Sequence, residues 1–117
     1  MDLEFYKQLK AFLKEIIQVF PDDHEIKIIS TKINLSTLEK DIKLINKFYS
    51  GLSPLEDLIL TQDDSFFSLN PGDYWTPGSN EFNLFTKLMF YWSEVDTINK
   101  KVMWDYLTLL YKLSKCC

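Results

Sequence analysis

The chain contains no arginine: all 13 of its basic residues are lysine. Arginine's planar fork is the usual means of gripping phosphate or guanine with paired hydrogen bonds, and of stabilising charge in phosphoryl transfer. Its absence counts against every nucleic-acid or nucleotide reading. Abundant Lys, Ile and Asn beside a single alanine, Ala11, is also the composition that an AT-rich genome produces. His24 is the one histidine, and the two cysteines, Cys116 and Cys117, stand together at the end. A tight transition-metal site wants about four convergent N, S or O ligands, so neither metal nor cofactor is expected. Glycine occurs three times and proline four times, which leaves no Gly-rich phosphate loop of either common pattern. No apolar run approaches the roughly 20 residues needed to span a bilayer. The start, Met-Asp-Leu-Glu-Phe, is acidic where a secretory leader would be basic. The expectation is an intracellular, reducing location, in host cytoplasm or virion, with no transmembrane segment.

What is present is a core. Hydrophobic residues make up 46% of the 117 and aromatics 15%, enough for one domain, residues 1–117, to fill its interior without metals or disulfides. Apolar residues recur at spacings of three and four, the helical period. Phe5, Tyr6, Leu9, Phe12, Leu13, Ile16, Ile17 and Phe20 form the first stripe, with Asp2 as N-cap and Pro21 as terminator. A shorter helix after Asp22 or Asp23 would present Ile26, Ile29 and Ile33, although Ile26-Lys27-Ile28 also alternates like a strand. Ser36-Thr37-Leu38-Glu39 reads as a capping box opening a helix that Gly51 closes, and Ser53-Pro54-Leu55-Glu56 as a second box. Gln62–Phe67 suits one helical turn that buries Phe66 or Phe67. Ser79 or Asn80 would cap a helix carrying Phe82, Phe85, Leu88, Met89 and Trp92. Asp96 or Thr97 would begin the last, through Val102, Met103, Tyr106, Leu107, Leu110 and Leu113. The predicted fold is all-α: a compact bundle of about six helices, one Pro/Gly-rich turn segment at 68–80, and a loose end at 114–117.

The turn segment breaks the pattern outright. Asn70-Pro71-Gly72-Asp73 and Thr76-Pro77-Gly78-Ser79 each put Pro and Gly at the two central positions, as type II turns do. Tyr74 and Trp75 lie between them, large amphipathic side chains on a segment expected at the surface. A loop Trp also folds back over a small domain's core, so Trp75 stands open between the two. Charge concentrates around them: residues 1–50 balance to zero, residues 51–98 carry −7 with Lys87 as their one cation, and residues 99–117 carry +3. An acidic stretch would steer a basic partner toward the aromatic loop, or simply keep the surface soluble.

The order of these features resembles a recurring pattern. Phe20-Pro21-Asp22-Asp23, the apolar helix to Phe48-Tyr49, Asp63-Asp64-Ser65-Phe66-Phe67 and Asn99-Lys100-Lys101-Val102-Met103-Trp104-Asp105-Tyr106-Leu107 resemble small helical proteins of large nucleocytoplasmic DNA viruses, the mimivirus relatives. The likeness spans Phe20 to Leu113 and rests on loose apolar and acidic spacings. It implies a viral source and an all-helical fold, brings no activity to transfer, and leaves the Pro/Gly segment unaccounted for.

Other constellations have simpler readings. Asp22, Asp23 and Glu25 beside His24 suit a cap and a first helical turn better than a metal. From Asp63 a calcium loop would need an oxygen ligand at its fifth position and Gly at its sixth, where Phe67 and Ser68 stand. Asp63 and Asp64 therefore read first as caps before Phe66-Phe67. No Gly-x-Ser-x-Gly elbow is present, and Cys116-Cys117 at the end has no fixed geometry against His24. No catalytic residue is assigned, and a non-enzyme is expected. Lys7, Lys10 and Lys14, and again Lys40, Lys43 and Lys47, form stripes that could meet DNA or an anionic membrane, but they match solvated helix faces diluted by Glu15, Glu39 and Asp41. The terminal cysteines resemble the doubly prenylated ends of Rab-type GTPases, without the GTPase domain that this chemistry normally accompanies. The leading expectation is an interaction module. Tyr74 and Trp75 would anchor an unknown, basic partner or a second copy, inside a rim of Asp63, Asp64, Asp73 and Glu81. A minor structural protein of a virion or scaffold, and a DNA- or membrane-associated factor, are the alternatives.

Overall fold

A computed structural model describes the backbone of residues 2–116 and the side chains of residues 3–116. Every regular element among them is helical. The six α-helices are α1 (Asp2–Val19), α2 (His24–Leu38), α3 (Ile42–Leu52), α4 (Glu56–Leu60), α5 (Asn80–Tyr91) and α6 (Thr97–Cys116). Short 3-10 turns cover Ser53–Leu55, Asp64–Ser68, Pro71–Asp73 and Trp92–Glu94. The expected all-α architecture is therefore present, and Ile26-Lys27-Ile28 lies in a helix.

The starts and stops follow local chemistry. Pro21 follows α1, and the Asp23 carboxylate accepts the Ile26 N–H at 3.1 Å to cap α2. Ser79 caps α5 through Phe82 N–H at 3.2 Å. The expected Asp2 cap lies outside the described side chains, as does Cys117. The 114–117 end, expected to be loose, is helical through Cys116: Ser114 is buried and Lys115 pairs with Glu56 at 2.8 Å.

Two expected boundaries are corrected. Ser36-Thr37-Leu38 does not open a helix but ends α2, and Asp41 caps α3 instead, accepting from Lys43 N–H at 3.0 Å. The reason is a left-handed residue at Lys40, φ 52°, where Lys40 N–H bonds Thr37 O and Asp41 N–H bonds Ser36 O, both at 3.1 Å. These two bonds are the Schellman ending, which usually takes glycine. The same ending recurs after α4. There Gln62 has φ 50° and donates to Ile59 O, while Asp63 N–H reaches Leu58 O at 2.9 Å. The second box, Ser53 to Glu56, makes no side-chain cap, since helical backbone runs through it from α3 toward α4.

The interior is aromatic. Phe5, Phe12, Phe48, Phe66 and Phe85 are fully enclosed, and ring contacts run from Phe5 through Phe48, Phe85 and Phe66 to Trp104. Phe67 stacks on Trp92 with centroids 3.7 Å apart. Both Phe66 and Phe67 are buried, where one was expected. The two longest helices, α1 and α6, pack together, α3 lies against α6, and α2 against α5. The core is one contiguous cluster that draws on every α-helix.

Candidate functional site

The Pro/Gly segment is more structured than two surface turns. Asn70 accepts Gly72 N–H on its side chain at 3.0 Å and starts a 3-10 turn over Pro71–Asp73, so Gly72 is not left-handed and the first type II turn does not form. In the second, Gly78 has φ 88° and Ser79 N–H bonds Thr76 O at 3.0 Å, as a type II turn requires.

Trp75 points inward. It is 6% exposed and its indole stacks on Phe85, centroids 4.1 Å apart and planes 5° off parallel. The sequence leaves Trp75 between exposed anchor and core; the indole closes the core, so the anchor role assigned to Trp75 is corrected. The space comes from Gly51, which sits within α3 rather than after it. A Cβ at Gly51 would lie 2.0 Å from Trp75 Nε1, so only glycine lets the ring this close. Trp75 Nε1 is buried with no hydrogen-bond partner among the described residues. The edge packing against Gly51 thus comes with an unmade hydrogen bond.

With Trp75 as its back, a groove of about 490 Å³ opens between α3 and the segment reaching α5. Lys43, Asn46, Lys47 and Ser50 form one wall, and Tyr74, Thr76, Ser79 and Glu81 the other. Tyr74 is half-buried there. Glu81, in the first turn of α5, is 4% exposed, yet its carboxylate has no hydrogen bond or ion pair among the described residues. Lys47, Ser79 and Glu81 also line a smaller adjoining hollow of about 220 Å³ that includes Asp41 and Asn80. The structure therefore brings Tyr74, Trp75 and Glu81 together.

It does not bring the other three acids to the groove. Asp63 caps the next turn through Ser65 N–H at 3.0 Å, and that backbone bond holds its carboxyl below the usual range. Asp64 accepts the Trp104 indole N–H at 2.9 Å. Asp73 is exposed in its 3-10 turn, outside the groove lining. The four acids do not form one rim. Nor do the lysines of the second stripe share a helix face, because Lys40 falls in the left-handed turn before α3.

Three polar clusters went unrecognised in the sequence. Asp23 faces Lys87 at 3.0 Å and accepts the Tyr91 hydroxyl, and Lys87 also meets Glu25 at 2.9 Å. Burial opposes ionisation of Asp23. Hydrogen bonds from Tyr91, the Ile26 backbone and Lys87 outweigh it and bring its carboxyl from 3.8 to about 2. Glu56 accepts from Tyr111 at 2.7 Å, and burial with this bond pushes the Tyr111 phenol up to about 12. Gln62 donates to Asp105 at 3.1 Å and Thr108 at 3.2 Å and accepts from Lys101 at 3.0 Å. Each cluster joins residues 39 to 68 apart in sequence, so periodicity gave no signal for them. Gly51 did carry a signal, being a glycine inside an otherwise apolar helical stripe.

His24 is exposed, and so is Cys116 at the end of α6. No helix among the described residues is long and apolar enough to cross a membrane. Comparison with protein-family models, with curated proteins and with solved structures finds no match.

Proposed function

We propose that this protein is a non-enzymatic docking module of viral origin, acting inside the host cell or virion, whose binding surface is the groove between α3 and residues 74–81. The observation that carries this reading is the locking of the groove's back. Trp75 is held between Phe85 and Gly51, so the segment bearing Tyr74, Thr76 and Glu81 is set before any partner arrives. Preorganised walls spare a binder the entropy of ordering a loop. Tyr74, half-buried at the wall, supplies the amphipathic contact typical of interface hot spots.

A second reading, self-assembly as a structural protein, draws on α2 and its exit. Ile28, Leu35 and Leu38 on α2 and Ile42 on α3 are all exposed, while Ile26, Ile29 and Ile33 face the core.

One set of measurements separates the two. Tyr74→Ala should lose the captured partner with an unchanged melting curve, while Lys10→Ala, on exposed α1 surface, keeps it. A partner retained by Tyr74→Ala overturns the docking reading. Multimers in sedimentation that survive both high salt and Tyr74→Ala favour assembly instead.

A further inference from the structure

The Glu81 carboxylate is the feature of this groove that folding leaves unexplained. A buried acid ordinarily gains an ion pair or hydrogen bonds, because desolvating its charge alone is costly. Asp23 behaves that way, with two side-chain donors, Lys87 and Tyr91. Glu81 is 4% exposed and has none, but its carboxylate oxygens keep contact with the open space that it lines on two sides. Its place in the first turn of α5 lets the helix dipole favour the anion but fills no hydrogen-bonding position.

The surroundings narrow what fits. Ser50, Thr76 and Ser79 offer hydroxyl oxygens that accept hydrogen bonds, and the Tyr74 ring offers a face to a cation. Of the acids in the −7 stretch of residues 51–98, Glu81 is the one that lines this groove. Lys43 and Lys47 on the opposite wall have no ion-pair partner among the described residues, and Lys47 flanks both hollows beside Glu81. Neither lysine pairs with Glu81, so the carboxylate is open to a ligand cation.

We propose that the groove receives a lysine or arginine side chain of a partner protein, with its cation on Glu81 and its stem beside Tyr74. This rests on the docking reading and names the partner chemistry it requires.

The test uses the full-length protein and short Gly–Ser peptides carrying one lysine, one arginine, one norleucine or one glutamate, with binding read from the Trp75 indole N–H resonance. The basic peptides should shift it, and the norleucine and glutamate peptides should not. Glu81→Gln, which keeps the side-chain shape, should weaken the basic peptides about tenfold or more, and Lys47→Met should tighten them severalfold. Basic peptides that bind Glu81→Gln as well as the unchanged protein overturn the proposal. So does a glutamate peptide that shifts the indole and loses its hold in Lys47→Met, which would make the groove an anion site. A natural partner lost by Tyr74→Ala but kept by Glu81→Gln leaves the docking reading standing and removes the cation. A partner kept by both variants removes both.

Discussion

At the scale of single residues, Gly51 and Trp75 are the pair on which the molecule turns. Replacing a helical glycine with alanine ordinarily gains about 1 kcal/mol, because the backbone loses less entropy on folding. At Gly51 the added methyl would sit 2.0 Å from Trp75 Nε1, and the indole is clamped on Phe85 from its other side. Gly51→Ala should therefore destabilise by roughly 1–3 kcal/mol in urea unfolding. Trp75→Ala should cost about 3–5 kcal/mol by opening a cavity. In the Trp75→Ala background, Gly51→Ala should become neutral or stabilising, since the clash is gone and the helix gain remains. Additive costs would show that the contact is not what restricts position 51. The sequence placed Tyr74 and Trp75 in a special segment but could not orient them. Turn chemistry is local, whereas the direction of an indole depends on what lies across from it.

Among the elements, the helix endings departed furthest from what local signals predict. Ser36-Thr37-Leu38-Glu39 has the composition of a helix start, and no glycine marks a stop nearby. The chain stops there anyway, with Lys40 left-handed at a cost of about 1–2 kcal/mol relative to an ordinary backbone state. Lys40 is exposed and its side chain has no partner among the described residues. Lys40→Gly should stabilise the protein by about 0.5–1 kcal/mol, part of the relief being offset by glycine's looser unfolded chain. Gln62 has the same backbone strain, but its amide spans Asp105, Thr108 and Lys101. Gln62→Gly should give no gain and a net loss, because the link between the α4 exit and α6 goes with the side chain. Equal stabilisation by both glycines, measured in the same denaturant series, would mean that the Gln62 hydrogen bonds contribute nothing.

For the whole molecule, stability against acid depends on the junction of the α2 start with α5. The Asp23 carboxyl titrates near 2 when folded against 3.8 as its ordinary value. A depressed folded value means that the ionised form favours the fold. The contribution is complete above about pH 4 and is lost as pH falls toward 2. With the Asp23 side chain 9% exposed, the contribution is on the order of 2 kcal/mol. Asp23→Asn should flatten the fall in unfolding free energy between pH 4 and 2. Tyr91→Phe should raise the Asp23 titration observed by NMR. An unchanged acid limb in Asp23→Asn would place the acid sensitivity elsewhere.

The sequence by itself determined that the chain is helical, that Pro21, Asp22 or Asp23, and Ser79 or Asn80 punctuate it, and that most residues of its apolar stripes pack in the core. Those properties follow from backbone geometry and from the 3.6-residue period, which act over a few neighbouring positions. Only the tertiary structure decided that Trp75 turns inward against Gly51. The same holds for the enclosure of Glu81 without a partner in a groove that Lys47 also lines, and for the scattering of Asp63, Asp64 and Asp73 to separate places. Each of these depends on groups brought together from distant parts of the chain, where steric fit and desolvation, rather than local propensity, set the outcome.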